Sequence, residues 1–205
     1  PGSIGGIHSP HVFTIRNVVD IERLQAKLDE ESTKNIAVVG GGFIGVEVAE
    51  NLRQIGKEVT LIEGTKQILA PYDYDMVQIL HKELDDNGIT LHVSATVTAI
   101  ESKQVKAVKD GKEFTVAADA VVMAVGARPK TELAKDAGLE IGTTGGIWVD
   151  HNYRTSDADI YAVGDAIESY NMLAHAPGRI ALAGPAQRQA RAAADHICGM
   201  YNTNK

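Results

Sequence analysis

Residues 38–52, VVGGGFIGVEVAENL, join a short apolar run to a glycine cluster and then to a helical repeat. An apolar run that ends in glycines has the form of a strand buried on both faces of a parallel sheet. Within the cluster, Gly40-x-Gly42-x-x-Gly45 has the spacing of a dinucleotide-binding turn. The first glycine permits the tight strand-to-helix turn, the second lets a pyrophosphate approach the backbone, and the third lets the helix pack on the sheet. A helix beginning near Phe43 then points its free amides and positive dipole end at the phosphates. By itself such a triplet is weakly specific, and its context carries the weight. A buried strand precedes it, a helix follows, and Glu63 closes the next strand 18 residues beyond Gly45, near the distance expected of an acid on the adenosine ribose. A carboxylate there accepts hydrogen bonds from a free 2′-hydroxyl and repels a 2′-phosphate. NAD(H) is therefore favoured over NADP(H), with Lys66 as the nearby charge that would soften the preference.

Outward from the glycines, the pattern predicts a doubly wound α/β fold. NVVDIERLQAKLDEE (17–31) places Ile21, Leu24 and Leu28 at helical spacing and reads as an amphipathic surface helix, reached through a Gly- and Pro-rich connector at the start of the chain. FIGVEVAENLRQIG (43–56) is a helix closed by Gly56, EVTLIE (58–63) a second buried strand, and residues 74–86 a helix stopped by DNG. ITLHV (89–93) is a third strand, residues 94–118 alternate as an antiparallel meander with turns at ESKQ and KDGK, and ADAVVMAVG (118–126) returns to a buried strand. This order is that of a Rossmann-like doubly wound parallel sheet with an antiparallel excursion. The expected organisation is a connector and helix over 1–30, a dinucleotide-binding domain over 31–147, and a further partial domain over 148–205. That last stretch holds short strand-like pieces and an Ala-rich helix, RIALAGPAQRQARAAADHICG, with too few large apolar side chains for a core of its own. The loop at 169–178 is expected to be its most mobile part.

Composition narrows the classes. Of 205 residues, 44% are hydrophobic and 23% charged, and 20 basic against 27 acidic side chains leave a net charge of −7. No Lys/Arg-rich run offers a surface to nucleic acid or anionic lipid. No apolar stretch approaches the ~18 residues of a membrane span, and no secretory leader is evident, so a cytoplasmic protein is expected. The lone Cys198 excludes an internal disulfide or a Cys-x-x-Cys redox pair, and beside Ile197 it reads as an inert, partly buried thiol. The seven histidines show no metal-binding spacing and read as scattered surface or packing residues. Tyr201 and Lys205 imitate a short-chain dehydrogenase pair, but at the C-terminus they read as chance.

Taken in order, the glycine loop, VVMAVGARPKTELAKDAGLEIG (121–142), TSDADIYAVGDA (155–166) and LAGPAQRQARAAAD (182–195) resemble the FAD-dependent pyridine nucleotide-disulfide oxidoreductases. The branch most similar is that of the NADH oxidases, NADH peroxidases and coenzyme A-disulfide reductases, and LAGPA leans toward the last. The resemblance implies NAD(H) and FAD as cofactors and hydride transfer from NADH to FAD. Electrons then pass to a disulfide such as coenzyme A disulfide, or to oxygen or peroxide. It implies that Asp165 holds the ribityl chain or a phosphate of FAD and that Leu182, Ala183 and Gly184 present backbone to the flavin ring. Gly126 would close over the nicotinamide, Phe43, Ile44 and Tyr72 would line the dinucleotide groove, and Glu47 would approach the nicotinamide and flavin face. In the family an FAD-binding glycine fingerprint and a redox cysteine lie upstream and a dimerisation domain lies downstream. The resemblance therefore implies an internal fragment of a homodimeric parent, able to bind NADH but with no catalytic residue of its own. The alternative is a stand-alone NAD(H)-binding module without catalysis.

Overall fold

In the computed structural model, which describes residues 4–200, the chain forms two compact units that divide between Gly126 and Ala127. The first runs β1 (Val12–Thr14), α1 (Val18–Leu28), β2 (Asn35–Val39), α2 (Phe43–Gln54), β3 (Glu58–Ile62), α3 (Tyr74–Asp86) and β4 (Ile89–His92). It continues through β5 (Ala95–Ile100), β6 (Gln104–Lys109), β7 (Lys112–Ala117) and β8 (Ala120–Met123). Five of these strands form a parallel sheet in the order β1-β8-β2-β3-β4, and β5-β6-β7 form a separate antiparallel sheet.

The side-chain alternation of a strand explains the continuous apolar runs. On β2, Ile36 and Val38 join Leu24 and Leu28 of α1, Ala49 and Leu52 of α2, and Val77 and Leu84 of α3 in one buried cluster. Ala37 and Val39 point the other way, into a second cluster with Val97, Ile100, Val105, Ala107 and Val116 of the antiparallel sheet. Helices thus cover one face of the parallel sheet. The meander takes the place that helices occupy on the second face of a symmetrically wound fold.

One carboxylate ties these layers together at the start of β2. Asp119 accepts hydrogen bonds from the main-chain amides of Lys34 at 3.0 Å and Asn35 at 2.9 Å, and from the Asn35 side chain at 3.3 Å. Lys103 pairs with its other oxygen at 2.8 Å. Burial alone would raise this carboxyl, but the Asn35 amide, the Lys103 ammonium and the Lys34 amide outweigh burial and hold it well below the ordinary carboxylate range. Because the folded-state value is depressed, the stabilisation is complete above the unfolded carboxyl's range and is lost as pH falls from that range toward the lower folded-state value. Asp119→Ala is expected to destabilise the first unit by about 2 kcal/mol at pH 7. Urea melts should show that difference narrowing below about pH 4.

The second unit contains α4 (Glu132–Asp136), β9 (Ile147–Trp148), β10 (Ile167–Asn171), β11 (Ala176–Gly178) and α5 (Ala183–Ile197). Strand β10 pairs in parallel with β9 and antiparallel with β11. Its Glu168 is only 5% exposed and accepts the Thr144 amide at 2.5 Å. Large side chains are sparsely buried here, Val149 and Ile167 among them, whereas Leu173 is 95% exposed.

Several elements differ from the sequence expectations. The opening connector supplies β1, which adds to the edge of the parallel sheet beside β8 and buries Phe13. Three residues after a Gly/Pro-rich stretch are too few to show a period. Ile21 of the helical stripe is half exposed, and only Leu24 and Leu28 reach the core. The stretch 169–178, read as a loop, forms the β10–β11 hairpin. IYAV before Gly164 forms a single bridge, Arg154 to Tyr161, instead of a strand. The compact units divide after Gly126, whereas the sequence reading drew its boundary at 147; the turns after α4 bond to later residues, Glu140 to Trp148 and Ser156, and Thr144 to Glu168. Cys198 is exposed at the C-terminal cap of α5. Pro1–Ser3, Tyr201 and Lys205 lie outside the described residues.

Candidate functional site

The carboxyl ends of adjacent parallel strands β2 and β8 carry the two loops of interest. Chain order reverses at this pair, since β3 and β4 extend the sheet on one side and β1 on the other. Such a reversal opens a crevice at the strand ends where ligands of open α/β sheets bind. At the end of β2 the backbone turns through Gly40, whose φ of +105° belongs to glycine. A Cβ on Gly40 would also lie 2.4 Å from the Ala124 carbonyl oxygen after β8. Gly45, in the first turn of α2, passes so close to this loop that a Cβ there would lie 1.8 Å from the Gly40 oxygen. Gly42 is different. It is the N-terminal cap residue of α2, in extended backbone, and a Cβ on it would meet nothing within 4 Å among the described residues.

Among the described residues no side chain caps the start of α2, and its first turn holds no acidic residue. Its leading amides and dipole therefore face an open approach with no competing carboxylate. Glu63, just past β3, stands beside this turn. One carboxylate oxygen accepts the Gly41 amide at 2.5 Å and the other the Thr65 amide at 2.7 Å. Each oxygen retains a second lone pair for a further donor.

The loop 64–73 folds back on the glycine turn. The Leu69 amide donates to the Gly41 oxygen at 2.7 Å from a residue at φ +47°, and Gln67 Nε2 donates to the Tyr72 carbonyl at 2.8 Å. The loop brings Tyr72 to Phe43, with ring centroids 6.0 Å apart and planes at 83°, a favourable edge-to-face pair. Both rings are about half exposed, as is Ile44 beside them. Glu47 follows one turn later on the same helix face and is exposed. Lys66 lies with its ammonium 5.6 Å from the centre of the Tyr74 ring. Gly126, at φ +90° and exposed, ends the loop after β8.

The structure thus gathers Gly40, Gly42, Phe43, Ile44, Gly45, Glu63 and Tyr72 around one turn. Asp165 and Leu182–Gly184 belong to the second unit. There Asp165 sits exposed in a short 3-10 turn after Gly164, whose amide donates to Gln189 Oε1 of α5 at 2.7 Å. That bond ties the turn to the second turn of α5, and a Cβ on Gly164 would lie 3.7 Å from the Ala186 Cβ; Leu182 is the exposed cap residue of α5, with no side-chain hydrogen bond. A Cβ on Gly184 would meet open space among the described residues.

Sequence reasoning missed Gly41, Thr65, Ile68 and Leu69. The middle position of the three-glycine run was a visible sign for Gly41. Ile68 and Leu69 carry no local mark, because their role depends on the loop reaching the glycine turn.

No helix among the described residues is long and apolar enough to cross a membrane. Among those residues no group of three or more His, Cys, Asp or Glu is placed to hold a metal ion.

Residues 1–190 match the family model described as pyridine nucleotide-disulphide oxidoreductase. The NADH oxidase of Streptococcus pneumoniae serotype 4 is 40% identical over 183 residues, which make up 87% of this chain and 39% of that protein. The crystal structure of reduced Bacillus anthracis CoADR-RHD superposes with a TM-score of 0.91 at 41% identity, covering 98% of this chain and 36% of that one. The water-forming NADH oxidase from Lactobacillus brevis, solved bound to NADH, superposes with a TM-score of 0.84 at 28% identity, covering 95% of this chain and 43% of that one. The chain spans about two fifths of the length of the curated relatives it matches.

Proposed function

The chain belongs to the pyridine nucleotide-disulphide oxidoreductase family, and on that basis we propose that it forms the NADH-binding part of a flavin-dependent oxidoreductase. The observation that carries this reading is the open approach at Gly42, between the uncapped start of α2 and the Glu63 carboxylate. A diphosphate fits an end of this kind, because it supplies the charge and acceptors that the helix amides lack. On this reading Phe43, Ile44 and Tyr72 form the apolar wall of the groove, Glu63 receives the adenosine ribose, and Glu47 and Gly126 stand toward the nicotinamide. In the second unit Asp165 accepts from a ribityl hydroxyl of FAD, and Leu182, Ala183 and Gly184 offer their backbone to the ring.

When both cofactors are bound, NADH supplies a hydride and the flavin accepts it. The chain's own residues bind, orient and exclude water. Reduction of a disulfide, of the coenzyme A type, or of oxygen or peroxide follows in a homodimeric parent that carries the remaining flavin site and the redox cysteine. Cys198, exposed at the end of α5, takes no part. The alternative of a binding module without catalysis shares the same groove; a flavin copurifying with the protein favours the enzyme.

Titration with NADH by calorimetry is expected to show saturable binding with a Kd in the micromolar range, and no heat of binding at any accessible concentration would defeat the reading. NADPH should bind at least about tenfold more weakly, because its 2′-phosphate meets the Glu63 charge. Glu63→Gln should shrink that ratio toward unity. The ratio reports the charge even where the substitution also weakens both ligands through the Gly41 and Thr65 amides.

A further inference from the structure

We propose that His81 is a positioning residue for the dinucleotide groove: as a neutral imidazole it accepts the Ile68 amide and so holds the loop 64–73 against the glycine turn. The inference rests on the dinucleotide reading above and adds a residue that lines no part of the groove. His81 lies on the loop-facing side of α3, and its Nε2 stands 3.3 Å from the Ile68 nitrogen. The amide can only donate, so Nε2 is the unprotonated nitrogen and the ring proton sits on Nδ1.

Ile68 is fully buried, and its side chain packs where a Cβ on Gly41 would come within 2.7 Å of it. The next residue, Leu69, donates to the Gly41 oxygen, and the Gly41 amide donates to Glu63. His81, Ile68, Leu69, Gly41 and Glu63 therefore form one connected chain that ends at the ribose-holding carboxylate. The same loop carries Tyr72 to the Phe43 ring.

Protonation of Nε2 sets a donor against a donor and leaves a buried amide without its acceptor, which disfavours the closed arrangement of the loop. Burial already lowers the proton affinity of His81 from the ordinary histidine value. Of the charged groups on the elements packed against it, none contributes to that lowering: Lys66 is engaged over the Tyr74 ring, Glu63 is held by two amides, and Asp85 follows one turn later on α3. His92 is lowered as well, by burial and by Lys109, but it faces the Phe114 ring of the meander at 4.8 Å. The bound state favours neutral His81, so affinity is complete above the free protein's own lowered histidine value and falls as pH drops below it.

The test is calorimetric titration of the whole chain with acid-stable NAD+, whose pyrophosphate does not ionise further between pH 7.5 and 5.0. The Kd of the wild type should rise about fivefold over that interval, against a ceiling of tenfold per pH unit for one proton. His81→Gln keeps an acceptor that does not titrate, so it should bind as tightly as the wild type at pH 7.5 and show less than a twofold change on acidification. His81→Phe should bind about fivefold more weakly at both values. A slope that survives in His81→Gln belongs to another group, such as His92, and overturns the proposal, as does a flat wild-type profile. Without any ligand, the Ile68 amide resonance should follow the His81 titration by NMR and cease to do so in His81→Gln. Failure of NAD+ to bind at pH 7.5 overturns the dinucleotide reading. An Ile68 resonance blind to pH overturns the role of His81 whatever the ligand does.

Discussion

Gly45→Ala is expected to lower the thermal transition of the first unit by about 10 °C or more, as followed by circular dichroism or calorimetry. The added methyl would stand 1.8 Å from the Gly40 carbonyl oxygen and 3.4 Å from the Ala124 Cβ. Overpacking that flexible side chains absorb costs about 1–3 kcal/mol. Here the obstacle is main chain, and the main chain has nowhere to go. Gly40 is itself pressed against the Ala124 carbonyl, where its own Cβ would come within 2.4 Å, and its amide is bonded to the Ile62 oxygen at 2.8 Å. Relief requires lifting α2 off the sheet, which exposes Ala49 and Leu52 from the helix-side core. A cost of about 3 kcal/mol is therefore a lower bound, and for a unit of this size each kcal/mol corresponds to roughly 3–5 °C. A transition within 2 °C of the wild type would show that the close approach of α2 to the turn is wrong.

Three residues earlier, a side chain added to a glycine has the opposite consequence. Gly42→Asp should leave the transition temperature unchanged or slightly raised and weaken NADH binding at least about 100-fold. Gly42 is in extended backbone at φ −74° and ψ −176°, which any residue adopts, and a Cβ there meets open space among the described residues. Aspartate is among the preferred helix N-caps and gains a few tenths of a kcal/mol over glycine. Its carboxylate would accept the first-turn amides and stand where the pyrophosphate is expected. The ligand then faces a like charge and occupied donors, and a 100-fold loss corresponds to about 2.7 kcal/mol. A Kd within threefold of the wild type would place the phosphates elsewhere, whatever the glycine spacing implies. Measured together, the two variants separate the glycine that the fold requires from the one that leaves room for a ligand.

Much of this was readable from local pattern. The strand ending in Gly40, the helix from Phe43 and the helix over 74–86 follow from period and punctuation, which act over a few residues. Leu69 illustrates what was not. A leucine at positive φ has no signature in the sequence, and it adopts that conformation because its amide reaches the Gly41 oxygen across 28 positions of chain. Asp119 likewise carries no mark in the sequence, because Lys34, Asn35 and Lys103 are brought around it only by the fold. Histidines without metal spacing read as surface or packing residues, and nothing in the order of residues distinguishes His81 from the others.

The sequence alone determined the strand, turn and helix of the glycine motif, the acid one strand over, and the antiparallel excursion, since each depends on side-chain period or on fixed spacing. Only the tertiary structure decided that the meander covers the second face of the parallel sheet, that β1 joins its edge, and that loop 64–73 closes on the glycine turn. Those features arise from contacts between residues far apart in the chain. Distant burial and hydrogen-bond satisfaction select them, and neither leaves a local trace.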